Sequence, residues 1–377
     1  MRKLSTLIIV TLLVTTIFCF PTAADAAPEV SVPSAILVDQ ATGTVLFEKN
    51  ADEQRAPASV TKVMTLLLIM EALQSGKLSM TDSIPVSANA AGMGGSQVYL
   101  KEGETMTVDE MLKCIAVVSA NDCCVAMAEA ISGSVESFIE TMNQRAAELG
   151  MANTHFNSCT GLDTDNHYTC ARDIAVMSRE LMKHPEIQNY TTIWMDSVRD
   201  GAFSLSNTNK LVRFYEGATG LKTGFTSTAG YCLSATATRE SMSLVAVVLG
   251  GETSDKRFED AKALLNFGFS QYGIYSDLPP APDPVNVIKG LEDTVNPVLA
   301  ENPAFLVPKG AEKNITYEVV LPESVMAPVE PGQKLGTITY TLDGQTIGTI
   351  NLMAEKEVPK VHFGHLFFQL VQYFFVV

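Results

Sequence analysis

The chain has 377 residues, 46% of them hydrophobic and 18% charged, with a formal net charge of −16. Acidity of that size argues against a nucleic-acid partner and otherwise bears on solubility rather than fold. Of the seven cysteines none belongs to a pair with a histidine at ligand spacing, so neither a zinc site nor any other cofactor is expected.

Met1-Arg2-Lys3, an apolar run over residues 4–20 and then Ala24-Asp25-Ala26 read as an export leader cleaved near Ala27. A retained anchor is the alternative, but the run suits a leader's apolar core better than a bilayer span. About 350 residues remain, more than one domain usually holds, so two domains are expected. They keep Cys114, Cys123, Cys124, Cys159, Cys170 and Cys232. An exported chain permits disulfides among these, and a domain of this size is equally well served by buried free thiols.

Residues 34–38 and 44–48, separated by Asp39-Gln40-Ala41-Thr42-Gly43, predict an N-terminal hairpin. Residues 59–73 contain no Gly or Pro and are apolar on almost every face, as a fully buried helix would be, with Gly76 closing it. Thr107-Val108-Asp109-Glu110 is a capping-box pattern that starts a second helix. Helical pattern resumes at Asp122 and runs to Ile131 and Gly133, so Ser119-Ala120-Asn121 falls at a helix junction. Residues 217–224 read as a turn segment feeding a strand over 229–238. A nearly all-apolar, hence central, strand follows over 242–250. Helices followed by an antiparallel hairpin fit an α+β domain better than alternating βα units.

Beyond Asp277-Leu278-Pro279-Pro280-Ala281-Pro282-Asp283-Pro284, a stiff linker, short runs over 315–321, 334–342 and 346–352 with a turn at Asp343-Gly344 predict a small all-β domain. Over 361–377, His362, His365, Gln369 and Gln372 recur at intervals of three and four. A helix there would carry a narrow polar stripe on a broad apolar surface, suited to a membrane interface, with docking on another protein as the alternative. Lys356 and Lys360 stand ready to meet anionic headgroups. The division expected is 1–26 leader, 27–278 catalytic domain, 279–284 linker, 285–357 all-β domain and 358–377 amphipathic tail.

Ser59-Val60-Thr61-Lys62 sets a hydroxyl and an amine three residues apart on one helix face, within reach of each other. A Ser-x-x-Lys arises about once by chance in a chain of this length, and a first-turn lysine can snorkel to the surface. In a helix with almost no polar face, however, a buried ammonium needs a partner. Ser119-Ala120-Asn121 follows at the junction and Lys222-Thr223-Gly224 at the head of a strand. Singly these read as helix caps and an exposed turn. Jointly, in this order and these settings, they are specific.

The sequence resembles the D-alanyl-D-alanine carboxypeptidases of the type-5 penicillin-binding proteins over nearly its whole mature length. The likeness rests on Ala56-Pro57-Ala58-Ser59-Val60-Thr61-Lys62-Val63-Met64-Thr65, Ser119-Ala120-Asn121-Asp122, Asn153-Thr154-His155-Phe156, Gly161-Leu162-Asp163, Ala171-Arg172-Asp173, Gly220-Leu221-Lys222-Thr223-Gly224 and Ala229-Gly230-Tyr231. It implies a β-lactamase/D,D-peptidase-like α+β domain, an antiparallel sheet flanked by helices, then a small all-β domain and an amphipathic tail.

It further implies peptidoglycan stem peptides ending in D-Ala-D-Ala as substrate, β-lactams as inhibitors and a membrane surface as partner. Ser59 would be the nucleophile and Lys62, its pKa lowered by burial, the helix start and nearby Lys222, the base. Ser119 would relay a proton to the leaving group and Asn121 position Lys62 and the substrate. Lys222, Thr223 and Gly224 would receive the substrate, and the backbone N–H groups of Ser59 and Phe225 the oxyanion. Arg257 either lies near the substrate carboxylate or belongs to a solvated helix start. His155 has no part in this scheme and packs beside Phe156. Thr208 and Phe225 stand where some relatives carry basic side chains, and Cys123 and Cys124 where small residues are usual. Two other outcomes stay open: a β-lactamase of the same fold, although no Glu-x-x-x-Asn lies between Asn121 and Lys222, and an inert wall-binding protein.

Overall fold

The computed structural model describes residues 27–375; the expected leader lies outside the described residues. In chain order the elements that build the site are β1 (Ser34–Asp39), β2 (Val45–Lys49), α1 (Lys62–Gln74), α2 (Val108–Val118), α3 (Asn121–Ser132), α4 (Val135–Glu148), α5 (Ala171–Leu181), β3 (Ala218–Thr226), β4 (Gly230–Arg239), β5 (Met242–Gly251) and α6 (Ser254–Gln271). The five strands form one antiparallel sheet in the order β2-β1-β5-β4-β3, so β5 is its middle strand.

The all-apolar run of β5 follows from burial on both faces. Leu244, Ala246 and Val248 pack with Phe258, Ala261, Leu264 and Leu265 of α6. Val245, Val247 and Leu249, pointing the other way, join the core built around α1 to α5. Helix α1 runs through that core: Val63 to Met70 are all buried, and Glu71, farther along, takes an ion pair from Arg145 at 2.8 Å. Helix α2 starts on the reciprocal Thr107–Glu110 capping box and ends at Ser119 in the left-handed conformation, φ 66°.

One expectation is corrected. Residues 217–224 are not a turn; Ala218–Thr226 is the edge strand β3, paired with β4 from Ala218↔Ala237 to Thr226↔Gly230. Its three glycines gave the segment a turn-like composition. Gly217 (φ 80°) and Gly220 (φ 140°) do adopt backbone that glycine favours, but at the entry to the strand and at its bulge.

Tyr272–Tyr275 pairs with Phe305–Pro308, tying the catalytic unit to the C-terminal one. Lys309 Nζ adds a bond to the Phe269 carbonyl near the end of α6, 2.7 Å. The C-terminal unit contains a three-stranded sheet, with Val285–Ile288 between Thr294–Val295 and Ser324–Met326, and a four-stranded one, Pro297–Leu299, Gln345–Ala354, Lys334–Leu342 and Ile315–Val320. Asp343 (φ 49°) and Gly344 (φ 81°) make the expected hairpin turn. Residues 276–284 carry neither helix nor strand.

Helix α7 (Phe363–Phe375) exposes Phe363, Leu366, Phe367 and Phe374; the side chains of Gln369 and Gln372 lie outside those described. Among the described residues no helix is long and apolar enough to cross a membrane. Lys356, expected to be free for headgroups, is paired with Glu292. All six cysteines from Cys114 to Cys232 are free and buried.

Candidate active site

Ser59 sits in a single 3-10 turn, Ala58–Thr61, that runs into α1. Lys62, the first residue of α1, is fully buried rather than snorkelled. Its Nζ lies 3.0 Å from Ser59 Oγ, 2.7 Å from Asn121 Oδ1 and 2.7 Å from the Thr160 carbonyl. Burial pushes its pKa below the usual lysine value, while Cys124, Cys159 and Asp122 act in the opposite direction. The helix junction delivers the second pair of groups. Because Ser119 turns left-handed, α3 starts at Asn121, whose Nδ2 donates to the Gly94 carbonyl at 2.7 Å, leaving Oδ1 to face Lys62. Ser119 Oγ is buried and has no hydrogen-bond partner among the described residues.

Asp122 fixes the wall beside this junction. Its fully buried carboxylate accepts from the N–H groups of Val98 (3.0 Å) and Leu100 (3.1 Å), so the segment that also supplies Gly94 cannot drift from Asn121. Such backbone donors are what a buried carboxylate requires.

The third group comes from the edge strand. Lys222 is buried and bonds the Thr223 carbonyl at 3.0 Å; burial first, and the charge of Lys62 second, hold its pKa well below the ordinary value. The Thr223 and Thr208 hydroxyls are 2.6 Å apart. At Gly224 a Cβ would stand 2.9 Å from the Pro57 carbonyl and 3.0 Å from Ser59 N, so β3 and the Ser59 turn meet where only glycine fits. Phe225, next in the strand, is 54% exposed and packs at a 31° tilt on Tyr231 with centroids 4.3 Å apart.

Arg257 does not belong to a solvated helix start, although its neighbours Asp255 and Lys256 do. It is 6% exposed, lies over the Tyr231 and Phe258 rings, and donates to the Gly224 (3.0 Å) and Cys232 (3.2 Å) carbonyls. Burial lowers its pKa to about 10. His155 is exposed, beside Tyr168, with Nδ1 2.6 Å from the Asn166 carbonyl; the histidine packed on Phe156 is His167.

Ser59, Lys62, Asn121, Lys222 and Gly224 are thus brought together, with Thr223 beside Lys222, Ser119 at the same helix junction as Asn121, and Arg257 on the Gly224 carbonyl. Three contributors had no assigned role in the sequence: the Thr160 carbonyl, Asp122 and Gly161. Gly161 (φ 81°) lies against the Ser59 turn so closely that a Cβ would come within 1.9 Å of the Ala58 carbonyl.

The family model for D-alanyl-D-alanine carboxypeptidase matches residues 21–253, and that for the C-terminal domain of penicillin-binding protein 5 matches residues 281–360. The D-alanyl-D-alanine carboxypeptidase DacF of Bacillus subtilis is 43% identical over 336 residues, covering 88% of this chain and 86% of that protein. DacA of Escherichia coli K12, a D-alanyl-D-alanine carboxypeptidase, is 34% identical over 359 residues, 92% of this chain and 87% of its own length. Among solved structures, penicillin-binding protein 5 from Haemophilus influenzae superposes with a TM-score of 0.74 at 31% identity, covering 88% of this chain and 99% of that one.

Proposed function

The chain belongs to the D-alanyl-D-alanine carboxypeptidase family, and from that premise we propose how its residues divide the reaction. It is a serine-type D-Ala-D-Ala carboxypeptidase acting on peptidoglycan stem peptides, and penicillin acylates the same serine. The observation that carries the assignment of roles is the three-partner cradle of Lys62. A neutral amine has two N–H donors and one lone pair. The Asn121 and Thr160 oxygens at 2.7 Å accept the two donors, which turns the lone pair toward Ser59 Oγ at 3.0 Å.

Ser59 Oγ attacks the carbonyl between the two D-alanines as its proton moves to Lys62 Nζ. The N–H groups of Ser59 and Phe225 receive the oxyanion. Collapse breaks the peptide bond; the proton passes from Lys62 by way of Ser119 to the departing amine, and free D-alanine leaves. Water then attacks the ester, with Lys62 again accepting a proton, and Ser59 is restored. Lys222 and Thr223 bind the terminal carboxylate. Arg257 supports that strand from behind by holding the Gly224 carbonyl, and its charge adds to the field felt by the carboxylate.

On the same reading residues 1–26 direct export, 27–278 are catalytic, 279–284 form the linker, 285–357 the all-β domain and 358–377 the tail. The exposed phenylalanines of α7 support a position in the outer membrane–water interface, where the wall precursor is assembled.

The test pairs the wild type with Ser59→Ala, using labelled penicillin and a pentapeptide ending in D-Ala-D-Ala. A stable adduct on Ser59 and release of D-alanine by the wild type alone are expected. Rapid penicillin turnover without peptide cleavage would instead mark a β-lactamase, and no adduct with either ligand an inert wall-binding protein.

A further inference from the structure

His167 stands 106 residues from Thr61 in sequence, yet its Nε2 lies 2.8 Å from the Thr61 hydroxyl, and both side chains are buried. The backbone N–H of Asn157 meets His167 Nδ1 at 3.0 Å. A backbone N–H can only donate, so Nδ1 is the bare nitrogen and Nε2 carries the ring proton. Nε2–H therefore donates to Thr61 Oγ1, and the Thr61 hydroxyl donates in turn to the Ala58 carbonyl at 2.8 Å. The first donor fixes the direction of the whole chain.

That chain ends on a residue held in backbone that disfavours any side chain: Ala58 has φ 48°. The next residue is Ser59. Gly161 packs against the same carbonyl and the Thr61 hydroxyl, to which a Cβ there would come within 1.9 and 2.8 Å.

We propose that His167 is a positioning residue for acylation, acting through Thr61 to hold the Ala58 carbonyl and with it the turn that aims Ser59 Oγ at Lys62 Nζ. The inference rests on Ser59 being the nucleophile. His167 reaches neither Ser59 nor the lysines directly; its effect passes through two hydrogen bonds and one strained peptide. Only the neutral ring can make this chain, because a proton on Nδ1 would confront the Asn157 N–H. Burial, with His155 nearby, keeps the ring neutral by lowering its pKa to about 4, and Asp163 opposes them.

The test measures penicillin acylation, and kcat and KM for the peptide, in H167F, H167Q, T61V and the H167F/T61V double variant, with thermal melting of each. H167F should slow acylation and kcat about ten- to a hundredfold while KM stays within about threefold, since aim is lost and binding is not. H167Q keeps a donor for Thr61 and should recover most of that loss. The double variant should be no slower than the worse single one, because both changes cut one chain.

Wild-type acylation by H167F, with or without a lowered melting temperature, overturns the proposal, as do losses that add in the double variant. If H167F does not fold, T61V decides: full-rate acylation by T61V overturns the proposal, and a loss of the stated size supports it. Ser59→Ala, run alongside, separates the two assignments. An adduct formed by Ser59→Ala removes the nucleophile, whereas an adduct on wild-type Ser59 with unaffected His167 and Thr61 variants removes only this inference.

Discussion

Asn121→Asp changes one atom of the Lys62 cradle and inverts its electrostatics. Asn121 Oδ1 is 2.7 Å from Lys62 Nζ, and both residues are buried. A carboxylate there favours the ammonium against the burial that lowers the lysine pKa. An opposite charge at such range moves a pKa by about 1–3 units, here upward. Acylation requires the neutral amine, so the wild-type rate should rise with pH and level off through a midpoint below 10.5, the ordinary lysine value. In the variant that midpoint moves up by about 1–3 pH units, and at a fixed pH below both midpoints acylation falls about ten- to a thousandfold. A second, pH-independent loss comes from the Asn121 Nδ2 bond to the Gly94 carbonyl, which a carboxylate oxygen cannot make. The assay is the second-order rate of labelled-penicillin acylation across pH. A variant whose rate is depressed by the same factor at every pH would refute the reasoning, because the carboxylate would then act on geometry alone and Lys62 would not be the titrating base.

Two further outcomes follow from packing and burial. Gly161→Ala and Gly150→Ala both force a Cβ onto left-handed backbone (φ 81° and 74°), but only at Gly161 does that Cβ strike the Ala58 carbonyl, since Gly150 has nothing within 4 Å. Gly150→Ala should cost about 1 kcal/mol, a few degrees in melting temperature, with full activity; Gly161→Ala should cost more and slow acylation at least tenfold, about what misplacing a reacting atom costs, and equal acylation rates in the two variants would contradict this. His167 has a folded pKa of about 4 against an ordinary 6.5, so between those values the unfolded chain binds the proton more readily. Its contribution is complete above pH 6.5 and is lost as pH falls toward 4, about 3 kcal/mol in all. Urea unfolding across that range should show a wild-type slope that His167→Gln lacks, and parallel curves would disprove it.

What the sequence revealed was what it encodes locally. The Thr107–Glu110 box, the Asp343-Gly344 turn and the buried α1 are each specified within a few residues, and each appears in the structure. The order of the three motifs revealed the site because serine acyl transfer needs those side chains whatever lies between them. The rest of the site is not written as side-chain chemistry. Thr160 contributes a carbonyl, which any residue possesses, and Asp122 acts through the backbone of Val98 and Leu100. Gly161 contributes the absence of a Cβ. The edge strand β3 was hidden for a related reason: glycine-rich composition usually marks a turn, and only pairing with β4 shows that the glycines there serve close approach instead.

Two buried lysines in one site pose a problem that burial alone does not solve, because it lowers both pKa values while the chemistry needs one amine neutral and the other charged. Their partners make the distinction. Lys62 has the Asn121 and Thr160 oxygens for its two donors and a hydroxyl for its lone pair, a set the neutral amine satisfies completely. For Lys222 the hydrogen bond found among the described residues goes to the Thr223 carbonyl, 3.0 Å away, which leaves an ammonium under-coordinated until an anion arrives. The substrate's terminal carboxylate is that anion, so binding and protonation of Lys222 are coupled. The cation created there then opposes a second charge on Lys62, the group whose field it already shares. Substrate binding thereby helps to set the protonation state the base requires. A peptide whose terminal carboxylate is amidated should accordingly lose acylation rate as well as affinity, and the pH midpoint for acylation by that peptide should lie above the one measured with the free acid. Equal midpoints for acid and amide would show that Lys62 is neutral without help from the ligand.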